Sequence, residues 1–350
     1  MSDATPGLPS AYVAADWSRA HLLPAAIGAG QRIGRVRHMP DRTGENRRAA
    51  ALVSRAREIL QEQFDALRRG GGVDLPAVRA ITRDVARSIT RNRYALIGLT
   101  RLRTSHEYTY VHSIAVSALM IGIGRELGLP DAEVEAVGLA GMLHDVGKSH
   151  VPQATLDKPG PLTPDEWATV KTHPERGHAI LRKLEGVDPI VLDVALHHHE
   201  RTDGGGYPHQ LAGGTISVHA RIAAVCDVYD ALTSRRAYKE ARPPAVVLDK
   251  MTRADGQFDP RMLRALRALV GAFPPGTAVR LQRGQIAVVL DEVAADPLSP
   301  RVRIVRHAET GRALEPVIVA TRDNPVVSVE RAEQWQLDAE ALASLATPSS

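Results

Sequence analysis

The chain has 350 residues, 44% apolar and 24% charged, enough for a large core and two domains in a soluble globular protein. Forty-four basic against forty acidic residues leave a net charge of +4, too small an excess to indicate a nucleic-acid polymer as partner. A single cysteine, Cys226, excludes a disulfide framework and a cysteine-built zinc cluster.

The amino terminus has no basic region followed by an apolar stretch, so no secretory signal is visible. Residues 1 to about 40 mix Pro, Gly and scattered apolar positions without a clear period. Up to Arg103 the chain carries 18 arginines and no lysine against nine acids, a basic half that reads as solvated helical surface. From Glu45 a helical period appears in Leu52, Ala56, Ile59, Leu60, Phe64 and Leu67. Gly70-Gly71-Gly72 ends that helix, and Asp74 can cap a second one built on Val78, Ile81, Val85 and Ile89. Such a hairpin packs on the next part of the chain or serves homodimerisation.

Residues 100–272 read as helix after helix. One runs from Tyr108 to Leu127 and stops at Gly128; its least polar stretch is shorter than the roughly 18 apolar residues of a membrane span and contains His112. The chain therefore reads as cytoplasmic. A helix from Asp131 ends near Gly147. Thr163-Pro164-Asp165-Glu166 is a capping-box start, Asp188-Pro189 opens another helix, and Thr215–Ser234 makes one more. After Gly276 the pairs Val279/Leu281, Ile286/Val288 and Val302/Ile304, separated by Arg283-Gly284 and Thr310-Gly311, predict a small antiparallel β appendage over about 277–332. Beyond Trp335 come a short helix and a loose end. The resulting division is 1–99, 100–272 and 273–350.

Many of the fourteen histidines fall between His106 and His219, in company with aspartates. His144-Asp145, with Lys148 three residues on, sits at a helix end. His112 lies on the preceding helix, His173 on the following one, His198-His199 at the end of a fourth, and Asp227 on a fifth. Singly each has a plain structural reading: a core histidine, a helix start before Pro174, a polar helix end. Jointly they are the donors of a two-cation cage. Neutral imidazoles suit Fe, Mn, Zn or Ni, and a carboxylate can bridge two cations; Asp145 is the natural bridge.

Leu143-His144-Asp145-Val146-Gly147-Lys148, then His198-His199-Glu200-Arg201-Thr202-Asp203-Gly204-Gly205-Gly206-Tyr207-Pro208, then Asp227 to Lys239 form three motifs in order. Over about residues 100–272 the chain resembles the HD-GYP family of HD metal-dependent phosphohydrolases. The resemblance implies a mainly α, HD-type multi-helix domain, here with an N-terminal helical extension and a small C-terminal β appendage. It implies two divalent metal ions per chain, iron or manganese, on His112, His144, Asp145, His173, His198, His199 and Asp227, with Asp145 bridging. Lys148 falls on the family's invariant lysine, and Arg236 and Lys239 on residues that contact substrate phosphates. Gly206-Tyr207-Pro208 is the naming loop, tied to substrate access and to docking of diguanylate cyclase domains. Some relatives hold a third metal with a Glu four residues before the first histidine; here that position is Tyr108, with Glu107 about 100° around the helix. Two metals are expected, not three.

The activity so implied is hydrolysis of cyclic di-GMP to pGpG or GMP, by hydroxide held between two cations in line with a phosphodiester phosphorus. The alternatives are a catalytically silent cyclic-dinucleotide receptor or docking module, and a phosphodiesterase for another cyclic dinucleotide. Glu200 and Asp203 read equally as partners of ligand imidazoles or as loop caps, and Asp230 as structural.

Overall fold

A computed structural model of the chain describes residues 42–91, 108–234, 244–271, 273, 275–290, 300–330 and 332–347. Expectations for residues 1–41, and for Arg236 and Lys239, fall outside the described residues. Helices α1 (Arg42–Arg68) and α2 (Leu75–Arg91) form the expected hairpin. Leu52, Ala56, Leu60, Phe64 and Leu67 are buried on α1, and Val78, Ile81, Val85 and Ile89 on α2. The turn between them is built as its sequence suggests: Gly70 takes φ +80°, and the Asp74 carboxylate accepts from Ala77 N at 3.0 Å. Gln63 adds a tie, accepting from Asp74 N at 2.7 Å. The hairpin shares one apolar core with the later helices.

That core is centred on α3 (Tyr108–Glu126) and α4 (Asp131–Leu143), which pack along their lengths. Both are apolar around most of their circumference, the mark of helices buried on all sides. The two backbones come very close at Gly141, where a Cβ would stand 2.6 Å from Ser117 Cα. The helix from Asp131 stops at Leu143, earlier than expected. His144 and Asp145 leave it, and Val146–His150 continues as a 3-10 turn.

Next come α5 (Gln153–Leu156), α6 (Pro164–Val170), α7 (His173–Leu181) and α8 (Pro189–His197). The Thr163/Glu166 capping box at α6 forms in full, and Asp188 caps α8 through Ile190 N at 2.8 Å. The following helix, α9, spans Val218–Thr233, not Thr215–Ser234: Ser217 takes the cap through Ala220 N, and Thr215 belongs to a 3-10 turn. Helices α10 (Pro244–Arg253) and α11 (Pro260–Val270) close the helical body.

The carboxyl-terminal part is an antiparallel five-stranded sheet, order β4-β3-β2-β1-β5. Its strands are β1 (Ala278–Leu281), β2 (Gln285–Val289), β3 (Arg301–His307), β4 (Ala313–Ala320) and β5 (Val326–Val329). Val279 pairs with Ala287 and with Val329. Ile286 and Val288 face a cluster that includes Leu337 and Ala346, the latter on α12 (Ala339–Ala346), while Ala287 and Val289 face the other way into a second cluster. The strand is thus buried on both faces and reads as a continuous apolar run. No helix among the described residues is long and apolar enough to cross a membrane.

The α3–α4 contact yields a stability prediction. Gly141→Ala should force the two backbones apart and cost about 1–3 kcal/mol, the usual penalty of overpacking. Denaturant unfolding measures it; an unaltered midpoint would show that the close approach is dispensable.

Candidate metal centre

Five helical elements each deliver one or two polar side chains to a single buried point. His112 comes from the first turns of α3, and His144 and Asp145 from the break after α4. His173 opens α7, His198 and His199 come directly after α8, and Asp227 lies within α9. Six of these seven are at most 3% exposed, so their charges and lone pairs must be met within the protein; His199 is slightly more open. Glycine makes one of the approaches possible. A Cβ on Gly147 would lie 2.0 Å from His173 O, so only glycine lets the 3-10 turn abut the start of α7 and sets Asp145 beside His173.

The histidines are aimed by their Nδ1 atoms. His144 Nδ1 lies 2.8 Å from Gly141 O, His173 Nδ1 2.8 Å from Val170 O, and His198 Nδ1 3.0 Å from Val194 O. A carbonyl only accepts, so each Nδ1 carries the proton and each Nε2 presents a lone pair to the centre. His112 is held instead by a carboxylate, Asp230 Oδ2, at 2.6 Å from Nδ1, while its Nε2 lies 3.0 Å from Asp227 Oδ1.

The consequence is a cluster of lone pairs without enough protons. His173 Nε2 and His198 Nε2 face each other at 3.2 Å. His144 Nε2 and Asp145 Oδ1 are buried and make no well-formed hydrogen bond. Donor atoms fall into two groups, Asp145/His173/His198/His199 and His112/His144/Asp227, each gathered within 4.8 Å. Asp145 stands between them: Oδ1 is 3.2 Å from His173 Nε2, and Oδ2 is 3.4 Å from His144 Nε2. Lys148 Nζ reaches Oδ2 at 2.5 Å. An imidazole-rich donor set with a central carboxylate fits two divalent cations.

The protonation pattern agrees. Burial pushes His144 down, His198 well down, and His199 to about 3, so all three are neutral at pH 7. Burial alone would raise Asp145, but Lys148, His144 and His173 together hold its carboxyl well below the usual range. For Asp227 the His112 hydrogen bond and the surrounding imidazoles outweigh burial in the same way. His112 goes the other way: Asp227 and Asp230 overcome its burial and raise it.

The Gly-Tyr-Pro loop forms the rim. A Cβ on Gly206 would stand 2.5 Å from Arg201 N and Glu200 Cα, which explains why glycine occupies this position. The loop folds back on Glu200, whose carboxylate accepts from His209 N at 2.7 Å and Leu211 N at 3.0 Å. Asp203 accepts from Gly205 N at 2.9 Å and pairs with Arg201. Both acids therefore brace the loop and leave the ligand imidazoles to other partners. Pro208 is joined to Tyr207 through a cis peptide bond. The Tyr207 ring stacks on His199, centroids 4.7 Å apart.

The seven sequence candidates are thus brought together, with Lys148 beside them and Gly206, Tyr207 and Pro208 at the rim. Glu107 and the Tyr108 side chain lie outside the described residues. One residue does more than its sequence context suggests: Asp230, which reads as structural, is the acceptor that orients His112. The signal available is its position three residues after Asp227, on the same face of one helix.

Comparison with known proteins gives the family. The model of the HD domain family matches residues 85–262, and the chain belongs to that family, in the HD-GYP branch whose three motifs it carries. It is 42% identical over 322 residues to a Pseudomonas aeruginosa protein named cyclic di-GMP phosphodiesterase PA4108, covering 91% of this chain and 77% of that one. It is 43% identical over 146 residues to the Xanthomonas campestris cyclic di-GMP phosphodiesterase response regulator RpfG, and 37% identical over 141 residues to the Vibrio cholerae 3'3'-cGAMP-specific phosphodiesterase 2. The chain spans 39% and 27% of those two proteins, respectively. Among solved structures it shares its fold with Bd1817, an HDG"Y"P protein of Bdellovibrio bacteriovorus, at TM-score 0.54 and 20% identity, over 66% of this chain and 74% of that one.

The hydrogen bonds and charges of the centre generate two predictions. Asp230→Asn should leave the fold intact but weaken metal retention about 10–100-fold, because His112 loses the carboxylate that aims it. Metal analysis after dialysis against graded chelator checks this; wild-type retention would return Asp230 to a structural role. In metal-stripped protein the lowered histidines refuse protons that the unfolded chain accepts below about pH 6.5, so stability falls as pH drops from there, by up to ~1.4 kcal/mol per unit for each such group. His112, shifted upward, opposes part of this loss. Unfolding curves at pH 7.5 and 5.5 should show the decline, and His199→Gln should make it shallower.

Proposed function

We propose that the protein is a cyclic di-GMP phosphodiesterase that works with two divalent cations held by the seven-residue centre. The observation that carries this reading is the His173–His198 pair: two Nε2 lone pairs 3.2 Å apart, each fixed by its Nδ1–H on a backbone carbonyl, a repulsive contact that a shared cation turns into an attractive one. The relatives named cyclic di-GMP phosphodiesterases, one of them similar over most of both chains, support the substrate.

When bound, the cations supply Lewis acidity, activating water for in-line attack on phosphorus and offsetting charge on the phosphoryl oxygens. The donor set suits iron or manganese. The remaining work falls to protein groups. Asp145 keeps its charge at neutral pH and turns one oxygen toward each donor group, so it would help to hold both cations. Lys148, partly exposed beside Asp145, is placed to give a proton or positive charge to the departing ribose oxygen. Arg236 and Lys239 serve as phosphate contacts, a guanidinium fork and a point charge. Gly206-Tyr207-Pro208 borders the substrate path and is a docking surface for a diguanylate cyclase domain. The helical hairpin offers a homodimer contact, and the activity belongs to the cytoplasm. A second reading, another cyclic dinucleotide as substrate, is favoured by the Vibrio cholerae relatives named 3'3'-cGAMP-specific phosphodiesterases.

The deciding experiment incubates anaerobically purified, metal-analysed protein with cyclic di-GMP and with 3'3'-cGAMP and separates linear dinucleotide from GMP. Asp145→Ala should lose both metal and turnover, whereas Lys148→Ala should retain metal and turn over about 100-fold more slowly, the range expected for a lost general acid. A metal content near three per chain would overturn the two-cation count, and full activity of the Asp145 variant would remove the bridge.

A further inference from the structure

We infer that Trp167 is the stacking platform for a purine base of the substrate, the outer rung of an aromatic ladder that begins at the metal centre. The inference rests on the phosphodiesterase reading and deepens it. The centre itself is made of imidazoles and carboxylates, which through bound cations would hold a phosphodiester but offer nothing for a base. In a cyclic dinucleotide each phosphorus is one ribose away from a base, so a base surface must lie just outside the cage. Among the described residues, the aromatic contacts of the centre lead outward in one direction only: His199 to Tyr207, nearly parallel at 4.7 Å, and Tyr207 to Trp167, edge to face at 6.2 Å.

Tyr207 has one face committed to His199. Trp167 is half-buried. The position of Trp167 is fixed from below. It sits one residue past the Glu166 of the α6 capping box, and Glu166 is held in turn by Lys158 at 2.7 Å. A large, partly open indole on a braced turn beside a phosphate-binding centre suits base stacking, where flat aromatic groups accept any purine face. With only three tryptophans and three phenylalanines in 350 residues, an indole at this rim is costly surface to expose without such a use.

The bland role, a prop for Tyr207, predicts something different, and two substrates separate them. The test compares kcat/KM for cyclic di-GMP with kcat/KM for methyl p-nitrophenyl phosphate, a phosphodiester without a base, in metal-loaded wild type, Trp167→Ala and Trp167→Phe. Trp167→Ala should lower the ratio about tenfold, chiefly through KM for the dinucleotide, and Trp167→Phe should recover most of it. In a W17F/W335F background, where Trp167 is the remaining indole, a non-hydrolysable phosphorothioate analogue of cyclic di-GMP should quench its fluorescence, and inorganic phosphate should not. Equal losses on both substrates, an unchanged ratio, or absence of quenching would each overturn the inference while leaving the phosphodiesterase reading in place. Wild-type protein that cleaves the simple diester but not cyclic di-GMP would remove the functional reading and this one with it.

Discussion

Two buried imidazole nitrogens facing each other at 3.2 Å constrain everything around them. Left to itself, a pair of buried lone pairs without a donor costs about 1–3 kcal/mol per group. The chain nevertheless spends backbone carbonyls at Val170 and Val194 to hold these rings so that the lone pairs meet. The same device appears at His144 through Gly141 O, with Nε2 again left bare. Three rings on three separate elements share one solution. This indicates a site pre-organised for a positively charged guest, which would relieve the conflict while every Nδ1–H keeps its carbonyl.

Holding that arrangement requires backbones to approach more closely than side chains ordinarily permit. Gly141 lets α4 lie against α3, which fixes where His144 leaves the helix relative to His112. Gly147 lets the turn after Asp145 touch the start of α7, and Gly206 lets the rim loop pass over Glu200. In each case an added Cβ would fall at 2.6 Å or less from another backbone atom. These glycines serve closeness; none has the positive φ that usually selects the residue. The centre is therefore set by the helical packing, and the loop is a later layer braced by Glu200 and Asp203.

Much of this is legible in the sequence because its signals are local. The Thr163/Glu166 box, the Asp188 and Asp74 caps and the glycine stop after Arg69 are short-range hydrogen-bond and φ requirements that residues within four positions decide. The seven candidate donors are legible as a set, through the order of three motifs, though none is informative alone. The features that escape a sequence reading depend on contacts between distant segments. Asp230 is ordinary until His112, 118 residues earlier, is seen at 2.6 Å. The early end of α4 leaves Gly147 in a turn against the start of α7, a contact that no local pattern encodes. Strand β4 gives no clear signal because Pro316 interrupts its apolar run; the structure tolerates it since β4 is the edge of the sheet.

The choice between an enzyme and a silent binding module can be argued from the same energetics. A module that only senses a nucleotide has no need for bare lone pairs, and substitution of His173 or His198 by an apolar residue would relieve their conflict at no loss to such a role. Keeping both, together with Asp145 between two donor groups and Lys148 against its oxygen, retains a destabilising arrangement whose compensation is cation binding. Because the donors come from five elements spread over more than a hundred residues, that binding free energy is also folding free energy: the cations would clamp α3, α7, α8 and α9 together. Metal binding at this centre would thus be linked to tertiary structure, and loss of one would be expected to loosen the other.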